Sequence, residues 1–243
     1  MSSRPLTARW MGRVPYGSTW ALQQAMVQQR IDGVIGDTVL LLEHEPVITL
    51  GRGAARAHVI APEALLAAEG IELFSTERGG DVTYHGPGQL VAYPIVDLKP
   101  DRCDVRSYVR SLSRVMSRIA RSEGVASGHL SDFIGVWVNE QDPTMWPWEE
   151  HVESKDLGAT HIAKIGAIGV KLTHWVTMHG FALNLTTNLE HYRHIVPCGI
   201  VEHPVTTLQA LTGRALGVRE AAERALDAFG AEWACDVRWE AQG

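Results

Sequence analysis

The chain is poor in cysteine: three in 243 residues, Cys103, Cys198 and Cys235, with no Cys-x-x-Cys pair among them. An odd, scattered set argues against a disulfide framework or a cysteine-rich zinc site, and points to the reducing cytoplasm. It lacks an excess of positive charge, with 22 Lys+Arg against 28 Asp+Glu and a net charge of -6. Non-specific nucleic-acid binding needs a basic surface to neutralise phosphates, so that is not its main task. No apolar run approaches the ~18 residues of a membrane span. The stretch from Met1 to Tyr16 carries Arg4, Arg9 and Arg13 but no apolar segment of the kind a secretory signal requires. There is no GxxxxGK[ST], no GxGxxG, no second histidine at zincin spacing after His44-Glu45, and no GxSxG. His174, His179, His191 and His194 show no metal-ligand rhythm, so neither metal nor cofactor is expected.

What is present is an ordinary globular composition, 45% hydrophobic and 21% charged. The length suits one domain, residues 1–243, with a core that needs no staples. Residues 17–30 read as a helix, Val39–Leu42 and Val47–Leu50 as short strands, and Pro62–Glu69 as a short helix with proline in its first turn. Strands are expected near Ile71–Phe74 and Leu90–Val96, with a turn-rich stretch from Arg78 to Gly88 between them. Helical spacing of Val105, Tyr108, Val109, Leu112, Val115, Met116 and Ile119 predicts a helix over 105–123, ended by Gly124. Phe133–Val138, Ile162–Leu172 and Val176–Leu185 have strand character. Thr206–Leu211 and Arg219–Phe229 look helical, and Glu232–Trp239 contains a last strand. Residues 139–160 are polar, acidic and proline-containing, which reads as a surface insertion. The elements interleave without regular βαβ spacing, giving an α/β domain with a mixed, mainly antiparallel sheet.

Three stretches exceed what folding alone asks for. Residues 78–89, RGGDVTYHGPGQ, put four glycines and a proline around an arginine, a hydroxyl, a phenol and an imidazole. Such a backbone can approach a ligand closely, although a glycine-rich hairpin would read the same way. Lys164 heads an apolar, glycine-punctuated strand, KIGAIGVK. Burial there would perturb its amine, whereas an edge-strand lysine facing solvent is the commoner case. Cys198 stands between Pro197, which fixes φ, and Gly199, which keeps the approach open. A free cysteine is more often a small buried hydrophobe, and Cys103 and Cys235 are read that way.

Taken together, these stretches resemble the octanoyltransferase (lipoyl(octanoyl) transferase) family. The first is similar to its RGG-x-VTYHGPGQ signature. The second resembles its K-I-x-x-[IL]-G-[VI]-[RK] motif and is followed by Met178-His179-Gly180-Phe181-Ala182-Leu183-Asn184. The third corresponds to its Pro-Cys-Gly nucleophile. Glu43-His44-Glu45-Pro46 through Leu50-Gly51-Arg52 resembles a further conserved stretch of that family, and the likeness runs from about Leu40 to Leu211. The 137–160 segment is longer and richer in tryptophan than the family pattern, and Lys171 stands where arginine is also common.

The resemblance implies the fold of biotin and lipoate protein ligase catalytic domains. It implies transfer of octanoate from octanoyl-acyl carrier protein to a lysine of lipoyl domains of 2-oxoacid dehydrogenases or of the glycine-cleavage H protein. Cys198 is then the nucleophile and Lys164 its activating partner. Arg78, Gly79, Gly80, Asp81, Val82, Thr83, Tyr84 and His85 would line the substrate site with Ala167, Ile168, Gly169, Gly180, Phe181 and Ala182, and His179 would support them. An acidic carrier would be met by a basic rim drawn from Arg52, Arg56, Arg78, Lys171 and Arg193. A monomer is expected, without nucleic-acid or membrane partners. An ATP-dependent lipoate or biotin ligase and a cysteine thioesterase are the rival enzymes. A non-catalytic acyl-carrier-binding module is the rival outside catalysis.

Overall fold

The computed structural model describes residues 4–146, 153, 161–196 and 204–240. Its frame is a seven-stranded sheet in the order β10-β1-β2-β6-β9-β8-β7. The strands are β1 (Leu6–Val14), β2 (Thr38–His44), β6 (Gln89–Ile95), β7 (Val136–Asn139), β8 (Ile162–Thr173), β9 (Val176–Asn184) and β10 (Val237–Trp239). β1 runs parallel to β10 and β2, and every other neighbouring pair is antiparallel. The sheet is thus mixed and mainly antiparallel.

β2 shows why the core forms here. Its run TVLLLEH is buried on both faces, as a near-continuous apolar strand should be when helices cover both sides. Val39 and Leu41 pack toward α3 (Val105–Ser122) and α5 (Val218–Trp233), while Leu40 and Leu42 pack toward α1 (Tyr16–Ile31). α3 is a three-and-four-spaced amphipathic helix. Asp104 caps it by accepting the Ser107 N–H at 3.0 Å, a bond that also holds the Asp104 carboxyl below its usual range. α5 offers the small face Ala221, Ala222, Ala225 and Ala228 with Phe229, which lets it lie close to sheet and α3 alike.

A second, three-stranded sheet has the order β4-β3-β5, from β3 (Val47–Leu50), β4 (Glu72–Ser75) and β5 (Val82–His85). With the short helix α2 (Glu63–Ala68) it encloses its own apolar cluster, which includes Ile48, Leu66, Val82, Tyr84 and Ile195. Pro62 is the N-cap of α2 rather than a first-turn residue. A five-residue helix, α4 (Leu208–Thr212), precedes α5.

Two expectations change. The turn-rich stretch from Arg78 to Gly88 contains β5, whose four residues pair antiparallel with β3. The arginine-dotted N-terminus forms β1, for which the sequence reading had no strand. Arg9 and Arg13 hide its alternation, and each is spent on an ion pair, with Glu240 and Glu43 respectively. Most of the 139–160 insertion lies outside the described residues. Its described start turns back on the fold, with the Ala126 N–H donating to Pro143 O and Trp146 buried in a cluster with Leu130, Trp137 and Ile162.

Candidate active site

Lys164 lies near the start of β8, and its side chain is buried, with the residue only 9% exposed. Its backbone N–H donates to Pro204 O at 2.8 Å, and its carbonyl accepts the Thr206 N–H at 2.9 Å. The Pro197–His203 stretch, Cys198 included, lies outside the described residues. Its two flanks are fixed. Before it, Val196 N–H donates to His58 O and Ile195 pairs with Val59. After it, residues 204–206 lie against Lys164.

The glycine-rich loop is sewn between the two sheets. The Arg52 N–H donates to Arg78 O, the Gly51 N–H to Asp81 O, and the Gly79 N–H to Val170 O of β8. Gly169 makes this approach possible, because a Cβ there would stand 2.8 Å from Gly79 O and 3.1 Å from Arg78 Cδ. Arg78 is 7% exposed; its Nη2 donates to Thr49 O at 2.6 Å and its Nε to Thr49 Oγ1 at 3.2 Å.

Between loop, β8, β9 and α3 lies a cavity of about 710 Å³. Of the residues expected at the site, Arg78, Gly79, Gly80, Asp81, Val82, Thr83, His85, Lys164, Ala167, Ile168, Gly169, His179, Gly180, Phe181 and Ala182 all line it. Tyr84 does not. It is buried in the small sheet's core, where its hydroxyl meets His191 Nδ1 at 2.7 Å. Arg78 is a wall residue and not part of a rim. Arg56, Lys171 and Arg193 are paired with Glu63, Glu77 and Glu190, and Arg52 is exposed.

The sequence reading missed Tyr16, Tyr93, Asn184 and Tyr192 on one side, and Val105, Val109 and Asp132–Ile134 on the other. Tyr16 and Tyr93 come singly from α1 and β6, where no local pattern marks an aromatic as a cavity residue. Asn184 sat in a quoted motif and had been given no role.

The floor is polar but neutral. His44 Nδ1–H donates to Val14 O at 3.0 Å, so Nε2 accepts the Tyr93 hydroxyl at 2.8 Å. The Gln89 amide group donates to Asn184 Oδ1 at 2.9 Å, leaving Gln89 Oε1 to accept from His85 Nδ1–H at 2.8 Å. His85 therefore keeps a lone pair on Nε2. Burial pushes His44 down to about 4 and His85 and His179 to about 3, with His44 adding to the effect at His85 and the Arg78 charge at His179. Burial also raises Tyr16 to about 12; the Thr76 hydroxyl beside it is committed to Leu50 O, and Tyr16 Oη has no aligned hydrogen bond among the described residues. His179 is 2% exposed with φ +60°, its N–H donates to Gln23 Oε1, and its Nε2 likewise finds no partner among the described residues. A non-glycine residue held in that conformation inside a strand stores about 1–2 kcal/mol of strain, which the surrounding packing has to offset. Among the described residues no cluster of three His, Cys, Asp or Glu side chains is placed to hold a metal, and no helix is long and apolar enough to cross a membrane.

A ten-stranded α/β frame with a glycine loop closed over a cavity, a buried lysine in the wall and neutral histidines below it has close counterparts. The model of the lipoyl protein ligase A/B catalytic domain matches residues 15–230. In fold alone, the chain is similar to an archaeal lipoate protein ligase from Thermoplasma acidophilum, with TM-score 0.68 at 14% identity over 100% of this chain and 88% of that one. It is also similar to the biotin protein ligase of Aquifex aeolicus, with TM-score 0.51 at 12% identity over 94% and 68%. In sequence it is 42% identical to an octanoyltransferase of Chloroflexus aurantiacus over 98% of both chains. It is 46% identical to one from Myxococcus xanthus over 92% of this chain, which spans 58% of that longer relative. The chain belongs to the octanoyltransferase family of acyltransferases.

Proposed function

We propose that this enzyme transfers an octanoyl group from octanoyl-acyl carrier protein to a lysine of a lipoyl domain, through a thioester on Cys198. The observation that carries the reading is the tether. Residues 204–206, directly after the Cys198 stretch, are hydrogen-bonded to Lys164, whose side chain forms part of the cavity wall. A segment that follows Cys198 closely in sequence is in this way held against Lys164, which supports pairing the two groups in one reaction.

The chemistry proceeds by two thioester displacements. The Cys198 thiolate adds to the carrier thioester carbonyl, and the carrier's thiolate leaves with a proton delivered by Lys164. The acceptor lysine's amine then adds to the Cys198 thioester, and an amide forms as the Cys198 thiolate departs, Lys164 taking up the surplus proton. A thiol with an ordinary value near ~8.5 is mostly protonated at neutral pH, so an ammonium beside it matters. The first exchange is close to balanced and the second runs downhill, so no ATP is needed. The acyl chain lies along the apolar wall of Val105, Val109, Phe133 and Ile168, where each buried methylene stabilises binding by ~0.8 kcal/mol. Arg78 to Thr83, His85, Ala167, Gly169, Gly180, Phe181 and Ala182 line the remainder, and His179 orients the thioester. The acceptors are lipoyl domains of 2-oxoacid dehydrogenases and the glycine-cleavage H protein, met by a cytoplasmic monomer.

Intact mass spectrometry after mixing with octanoyl-carrier tests this. The expected result is a gain of one octanoyl group, abolished in Cys198→Ala and slowed at least tenfold in Lys164→Ala. Amide formation from free octanoate and ATP would make the enzyme a ligase. Release of free octanoate with no amide on a lipoyl domain would make it a thioesterase.

A further inference from the structure

An ammonium buried in a cavity wall has lost much of the water that normally holds it, so its position depends on what the fold places around it. Two residues of the β7 edge meet the Lys164 side chain. Gly135 has φ +146°, a conformation that L side chains rarely adopt, and a Cβ there would stand 2.5 Å from Lys164 Cε and 3.2 Å from Nζ. The absent side chain is the space that the lysine stem fills. Two positions on, Trp137 is the β7 partner of Lys164 in the sheet register, and Nζ lies 5.3 Å from its ring centroid. That ring is itself immobilised. It is 1% exposed, its Nε1–H donates to Phe133 O at 3.1 Å, and Leu130, Trp146 and Ile162 pack with it.

We infer that Trp137 is a positioning residue for Lys164, its ring face and the gap at Gly135 together holding the ammonium at the cavity wall. The inference rests on the role given to Lys164 above and goes beyond it. Neither Gly135 nor Trp137 lines the cavity, so neither touches the acyl group; Trp137 reaches the site through the lysine and, by its bond to Phe133 O, through one residue of the apolar wall. The electron-rich face of an indole attracts a cation electrostatically, and desolvation strengthens that attraction. Trp146, at the described start of the tryptophan-rich insertion, belongs to the cluster that backs Trp137.

The test separates the electrostatics of the ring from its bulk. Mono-, di- and trifluorinated tryptophans placed at position 137 withdraw density from the ring face while nearly preserving its shape. The rate of octanoyl-enzyme formation, read by quenched intact mass, should fall by roughly twofold with each fluorine, with an unchanged melting temperature. Trp137→Phe should keep more of the rate than Trp137→Leu. A flat fluorine series, or equal rates in the Phe and Leu variants, would overturn the inference and leave Trp137 as packing alone. Lys164→Ala provides the second arm. If it forms octanoyl-enzyme at the wild-type rate, the role of Lys164 fails and that of Trp137 with it; if it is slow and the fluorine series is flat, only the tryptophan's part is lost.

Discussion

On the loop side of the cavity stand Tyr16, Arg78, His85, Tyr93 and His179; on the α3 side stand Val105, Val109, Phe133, Ile134 and Ile168. The first group is a set of buried imidazoles and phenols kept uncharged by burial, with Arg78 as its cation; Tyr93 and His85 bond to His44 and Gln89, while Tyr16 Oη and His179 Nε2 find no partner among the described residues. The second is hydrocarbon, and Val105 and Ile134 remain partly exposed at its edge. The difference teaches how one cavity can accept a flexible alkyl chain and still orient a carbonyl. An apolar wall supplies affinity that is indifferent to direction, and a polar wall supplies direction.

The comparison breaks most completely where the loop meets β8. Gly169→Val puts branched carbon against Gly79 O and should cut octanoyl transfer by at least a hundredfold while the chain still folds, as checked by circular dichroism and turnover together. On the apolar wall, Val109→Phe fills space that the chain would use. The preference should move to shorter acyl donors, with a discrimination of about fourfold per methylene, measured as kcat/KM over a six- to ten-carbon series. On the polar wall the sign of pH dependence is fixed by the three histidines. Their folded values lie below the unfolded ~6.5, so the unfolded chain binds more protons between about 6.5 and the folded values of about 3 to 4. Stability is therefore complete above pH ~6.5 and falls as pH drops below it, each histidine adding a slope of up to about 1.4 kcal/mol per pH unit. Urea unfolding between pH 7.5 and 5 checks this, and His85→Gln should flatten the curve. The smallest effect belongs to Tyr84, which faces away from the cavity. Tyr84→Phe gives up its bond to His191 and should cost about 1 kcal/mol of stability with transfer rates unchanged.

Much of this site was legible in the sequence because its parts come as compact runs. The 78–85 and 164–171 stretches each bring several wall residues along one local path; glycine spacing and a lysine on an apolar strand drew attention to them, and the family resemblance made them a site. Tyr84 was expected in the wall and lies in the small sheet's core instead, because residues of a strand alternate sides and the sequence reading had no strand there. Tyr16 and Tyr93 were missed for another reason: each is the single cavity residue of its element, and only tertiary packing selects it. β1 was invisible because its pairing is wholly long-range and parallel, with Leu6 opposite Val237 and Thr7 opposite Thr38. Helix α3 was legible from the spacing of its apolar residues and the glycine that ends it.

Residues 195–196 are hydrogen-bonded to the small sheet's layer through Val59 and His58, and residues 204–206 to the large sheet through Lys164. The small sheet's core supports the first of these two contacts, so its local stability is expected to bear on turnover. A truncation such as Ile48→Ala, buried in that layer, would slow the reaction at temperatures where the small layer frays while the large one stays intact. Heat sensitivity of catalysis and heat sensitivity of folding would part company in this enzyme, and selection on one need not act on the other.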